Sequence, residues 1–140
     1  MSRVINLHSP GKLRSQLMRT GAEVLRRLGQ MNSIDDEARD MLAFLVFCFR
    51  RIDEGISESV VAWEKRDYWV KAEQFRIKWA WVHGAAHRLE TLIRNESWDR
   101  LPALMMEFYP YFEDIKIVKY TRSPSLWHGA YRRLMNGQHE

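Results

Sequence analysis

Apolar residues recur along this chain at intervals of three and four, the period of helices with one buried side. Ser9-Pro10 has the form of an N-cap followed by proline at the first helical position, and Gly29 closes the segment. Between them Leu17, Gly21, Val24 and Leu28 make one stripe. Ser33 followed by Asp36 resembles a capping box, and the acidic run 35–37 suits the positive end of a helix dipole. A second helix then carries Leu42, Leu45, Phe49, Ile52, Ile56, Val60 and Trp63. Its end falls either at Gly55 or at a turn over residues 65–67. The later turn is preferred, because a break at Gly55 would leave one unpunctuated helix to Asn95, about 58 Å long at 1.5 Å per residue.

The third helix has the clearest pattern: Tyr68, Ala72, Phe75, Trp79, Val82, Ala86, Leu89 and Ile93 follow a heptad seam. After a turn at residues 95–97, Leu101, Leu104, Phe108, Tyr111, Ile115 and Val118 continue the helical spacing, with Pro110 expected to kink or split the run. A strand through Ile115 and Ile117 would have no partner, so helix is preferred there. Ser123-Pro124 repeats the cap-plus-proline signal, and Trp127, Ala130 and Leu134 line a short helix ended by Gly137. These elements predict an all-α fold: an up-and-down antiparallel four-helix bundle with a short fifth C-terminal helix, one domain over residues 1–140.

Composition adds exclusions. The chain of 140 residues has one Cys, so neither a disulfide framework within it nor a multi-Cys zinc site is available. The longest apolar run, residues 41–49, is about half of what a membrane-spanning helix requires. Residues 1–7 show no apolar run with a cleavage site, so the expectation is a cytoplasmic protein with no membrane partner. Cys48, mid-helix between Phe47 and Phe49, reads as an inert packing residue.

Charge falls in blocks: net +5 over residues 1–32, −4 over 33–67, +2 over 68–96, −3 over 97–114 and +4 over 115–140. Basic ends would suit a nucleic-acid surface, with Arg14, Arg19, Arg26, Arg27, Arg122, Arg132 and Arg133 on phosphates and Trp127, His128 and Tyr131 stacking. The same spacing of Lys12, Arg19 and Arg26 by sevens also describes the solvated face of an amphipathic helix. No helix-turn-helix or RNA-binding signature accompanies them.

Side chains with catalytic potential are few. His83, His87 and Glu90 share one face of the third helix, the spacing a metal would need from one element. Asp53, Glu54, Glu58 or His128 would have to complete the set. The pair resembles that of DinB-type metal-binding bundles, whose pattern also includes a His from another core helix that helix two lacks. Arg76…His83 and Arg122…His128 fit the spacing of HEPN-type RNases. So do three pairs involving His8 and His139, which makes the match a product of 16 Arg and 5 His. Glu37 and Asp40 give half of the carboxylate set of all-α nucleotide pyrophosphohydrolases, without the other half. Phosphate loops, zinc-protease and serine-hydrolase motifs are absent.

What stands out is apolar residues on two sides of two helices. Residues 41–49 are apolar around the whole circumference of helix two, and Val70, Ile77 and Trp81 face away from the seam of helix three. Either the chain's own fifth helix and Pro110 kink cover them, or a second molecule does. The second reading is preferred, with Val70, Ile77, Trp81, Phe44 and Phe47 as candidate partner-interface residues. The expected function is a non-enzymatic protein–protein interaction or scaffold protein acting as a homo-oligomer, most simply a homodimer, without a cofactor. The alternative is a nucleic-acid-associated protein using the basic ends. A metal-dependent enzyme at His83, His87 and Glu90 is the second alternative.

Overall fold

Helix starts in the computed structural model follow the local chemistry of the chain. The structure describes residues 9–138; residues 1–8 and 139–140, with the N-terminal segment and the terminal His8 and His139 considered above, lie outside the described residues. Helix α1, Pro10–Gly29, begins at Ser9, whose hydroxyl accepts from the Lys12 amide at 3.3 Å. Helix α2, Asp36–Glu64, is capped by Asp35 rather than Ser33, through the Ala38 amide at 2.8 Å. An ionised carboxylate accepts more strongly than a hydroxyl, which favours the later start. α2 runs straight through Gly55 and stops in the turn at 65–67. There Asp67 takes a left-handed φ of 62° and the Tyr68 amide bonds back to the Trp63 carbonyl.

The third helix is not continuous. It divides into α3, Trp69–Trp79, and α4, Trp81–Arg94, at Ala80, whose amide reaches only the Ile77 carbonyl at 3.4 Å. The residues on either side explain the break. Positions i and i+2 do not share a helical face, yet the Trp79 and Trp81 rings lie 6.2 Å apart and 28° from parallel. Breaking the helix lets both rings enter one aromatic cluster. Trp81 therefore turns inward, not outward as an unbroken helix requires. It stacks on Tyr111 at 4.0 Å and 7°, with edge contacts to Phe49 at 5.8 Å and Phe112 at 6.0 Å.

Helix α5, Leu101–Phe108, is followed by a 3-10 turn, Tyr109–Tyr111, containing Pro110. Here the helical expectation for Ile115 and Val118 fails. Proline supplies no N–H and clashes with the preceding turn, and residues 113–123 leave the helix as an irregular strap across α1. Val118 points outward, 92% exposed. Beyond the strap, a 3-10 turn at Pro124–Leu126 leads to α6, Ala130–Met135. α6 has no cap of its own; Asp40 of α2 accepts from the Gly129 amide at 3.1 Å and the Tyr131 amide at 3.0 Å.

The chain is all-helical apart from turns and the strap, and no strand occurs among the described residues. α2 is the hub: α1, α3, α4 and α6 all pack on it. Every residue from 41 to 49 is buried. Phe44 is covered by Trp127 at 6.2 Å, and Phe49 by Trp81, Phe108 and Phe112. Gly21 permits the last of these contacts, since a Cβ there would meet the Phe112 ring at 2.9 Å.

Trp81→Glu is accordingly expected to unfold or strongly destabilise the protein, by roughly 3–5 kcal/mol for the lost ring alone, measured by chemical denaturation. Unchanged stability would mean that the Trp81 ring contributes nothing to the core.

Candidate functional site

The five candidate interface residues separate into two groups. Phe44, Phe47 and Trp81 are held inside the fold: the first two are buried, and Trp81 is partly buried in the aromatic cluster. The outer edges of Phe44 and Phe47 reach only a groove of about 240 Å³ between α1 and α2, shared with Leu13, Leu17 and Cys48. Val70 and Ile77 remain 72% and 67% exposed. Beside Val70 the structure adds Trp69, 58% exposed, with Tyr68 exposed just before the helix. Only Ala72 of α3 is buried. α3 thus leans on α2 through Ala72, Phe75 and Trp79 and leaves Trp69, Val70 and Ile77 exposed among polar neighbours such as Glu73, Gln74 and Lys78.

The proposed metal ligands do not converge. His83 Nδ1 lies 3.0 Å from Asp53 Oδ2 at an exposed position, and His87, one turn on, is exposed as well. Glu90 is committed to two arginines, Arg50 of α2 and Arg94 of its own helix. Burial would raise its carboxyl, but the hydrogen bonds from Arg94 and Arg50 prevail and hold it below the usual value. Arg94 also donates to the Leu134 carbonyl at 2.8 Å, tying α4 to α6. Among the described residues no group of three or more His, Cys, Asp or Glu is placed to hold a metal ion. Asp53 and Glu90 act as seams between α2 and α4.

The residue that sequence reasoning missed is Glu23. It is fully buried, although it belongs to the most basic helix of the chain. Its Oε1 accepts from the Thr121 amide at 2.8 Å and the Thr121 hydroxyl at 2.7 Å, and its Oε2 accepts from the Arg122 amide at 3.0 Å. Arg122 in turn donates to Thr20 Oγ1 at 3.0 Å and Gln16 Oε1 at 2.8 Å. Arg26 donates to the Ile117 carbonyl, Arg27 to the Arg122 carbonyl, and Tyr120 to Gln30. The signal was present: Gln16, Thr20, Glu23 and Arg27 form a polar stripe at 4-3-4 spacing beside the apolar one.

Of the basic residues considered for nucleic acid, Arg19 and Arg26 lie on α1, and Arg26 and Arg122 make contacts between α1 and the strap. Arg14 is drawn over Phe75 and Trp79, where burial lowers its pKa, and Arg27 lies over Tyr120 and Trp127. Arg132 and Arg133 sit on α6, which packs on α2. Trp127 is buried and offers no stacking face. No family model, curated protein or solved structure matches this chain.

Burial would raise the Glu23 carboxyl, but hydrogen bonds from Thr121 and Arg122 and the Arg122 charge outweigh it and hold it below its ordinary value. A depressed folded-state pKa stabilises fully above the unfolded value, about 4.3, and that stabilisation disappears as pH falls through the folded value. Glu23→Gln turns an amide NH2 against backbone donors and is expected to cost about 2–3 kcal/mol at neutral pH. Its stability should also fall less steeply than that of the wild type below about pH 4. Denaturation across pH reads both; an equal acid slope in the variant would place the titrating group elsewhere.

Proposed function

We propose that this protein is a non-enzymatic interaction protein that pairs with a second copy of itself through the outward side of α3. The observation that carries this reading is the exposure of Trp69, Val70 and Ile77 on a helix that buries only Ala72. Isolated exposed apolar residues are ordinary; here Tyr68, Trp69 and Val70 are exposed together at the start of α3, with Ile77 two turns on. Trp and Tyr suit contact surfaces because they bury much area while keeping a polar tip.

The spacing also fits self-association. Val70 and Ile77 are seven residues apart, two turns along one line of the helix. Two copies of α3 meeting antiparallel about a twofold axis near residues 73–74 would set Val70 against the partner's Ile77, and the reverse, a closed isologous contact. Glu73, nearest that axis, is ion-paired with Arg76, which also holds Glu64 of α2, and Lys71 and Lys78 lie on the same helix.

Sedimentation velocity at micromolar concentration is expected to show a dimer. Ile77→Glu combined with Val70→Glu should weaken it more than tenfold while leaving the circular dichroism and melting of the chain unchanged, since neither side chain is buried. A monomeric wild type at that concentration overturns the proposal.

A further inference from the structure

We propose a second surface, distinct from α3, on which α1 and the strap together bind the phosphodiester backbone of nucleic acid without reading its sequence. α1 carries Lys12, Arg14, Arg19, Arg26 and Arg27 against one acid, Glu23. That acid is fully buried and faces Thr121 and Arg122. The strap adds Lys116, Lys119 and Arg122 against Glu113 and Asp114 at its start. Residues 10–29 and 113–123 thus hold +5 of charge within a chain of net +4, and the remainder is net negative. The strap half of the C-terminal basic block joins the N-terminal block, because Glu23 draws the strap onto α1, while Arg132 and Arg133 stay on α6.

Five cations of this surface are outside any ion pair among the described residues, although Arg122 lies against Glu23 and Glu113 lines the same groove as Arg26. Arg50, Arg51, Arg76, Arg88 and Arg94, on α2 to α4, are each paired with a carboxylate. Among the described residues no carboxylate ion pair involves Lys12, Arg19, Arg26, Lys116 or Lys119. They are also held in place. Lys12, Arg19 and Arg26 are spaced two turns apart, about 10.5 Å, on a capped helix. Arg26, through the Ile117 carbonyl, fixes the strap between Lys116 and Lys119.

Two features point to nucleic acid over an anionic membrane. Arg19 and Arg26 carry planar guanidinium groups that suit phosphate, whereas the Arg122 guanidinium is taken up by Thr20, Thr121 and Gln16. Large apolar side chains able to enter a bilayer are fewer on the strap, where Val118 projects and the exposed Tyr120 is held by Arg27 and Gln30, than at α3. A surface that neutralises about five phosphates releases their counterions, so a fourfold rise in salt should weaken binding on the order of a hundredfold.

The test is fluorescence anisotropy of a labelled mixed-sequence oligonucleotide, with phosphatidylserine vesicles as a parallel arm. Two variants of the full chain carry equal charge changes. One replaces Lys12, Arg19, Lys116 and Lys119 by Gln; the other replaces Lys65, Arg66, Lys71 and Lys78 by Gln. The wild type is expected to bind the oligonucleotide with the stated salt dependence. The first variant should lose more than tenfold in affinity and the second less than threefold. No oligonucleotide binding by the wild type at low salt, equal losses in the two variants, or binding to vesicles alone would each overturn the proposal.

Discussion

The structure depends on one constraint: a helix that is apolar on every side must be covered on every side. Residues 41–49 of α2 impose it, and the chain meets it with four helices and two tryptophans. At about 25 cal/mol per Å2 of apolar surface, leaving one large aromatic of α2 uncovered would cost a few kcal/mol. That is a sizeable share of the stability of a domain of this length. Trp127 closes the side bearing Phe44, and the Trp81–Tyr111–Phe112 cluster closes the side bearing Phe49. The break at Ala80 and the departure from helix after Pro110 both serve this closure. One turns Trp81 inward, and the other places Tyr111 and Phe112 where they meet it.

A second requirement follows from the first. The segment that leaves α5 must reach α6 without helical hydrogen bonds, so its backbone donors need other partners. Glu23 supplies acceptors for the amides of Thr121 and Arg122 from within α1. A buried carboxylate is tolerable there because each oxygen accepts at least one hydrogen bond and Arg122 lies close by. The outcome is electrostatic as well as structural. The one negative charge of α1 is hidden, and three positive charges of the strap are laid beside those of the helix.

Much of this was legible in the residue pattern. The start at Ser9-Pro10, the end of α2 at residues 65–67 and the apolar stripe of α1 follow from caps and periodicity, which are local properties; Ser123-Pro124 opens only a 3-10 turn, and α6 starts later, at Ala130. Trp81 was misplaced because periodicity assumes an unbroken helix, and the break at Ala80 is caused by tertiary contacts of the two rings beside it. Ile115 and Val118 were misplaced because their spacing matches a helix that Pro110 does not allow to continue. The covering of Phe44 by Trp127 joins residues 83 positions apart, which no local pattern encodes. Glu23 looked like one acid among basic neighbours; only its partners on the strap give it a role. Of the five residues singled out as an interface, exposure persists at Val70 and Ile77.

The two surfaces left over after the core is closed differ in chemistry. One carries the exposed Trp69, Val70 and Ile77 of α3; the other carries the cations of α1 and the strap. Both follow from the claim that the surroundings of α2 are completed within a single chain. Amide hydrogen exchange followed over serial dilution tests that claim most directly. Protection of residues 41–49 is expected to be independent of protein concentration, while α3 exchanges faster as copies separate. Loss of protection across residues 41–49 on dilution would contradict the account, because α2 would then owe its cover to a second molecule.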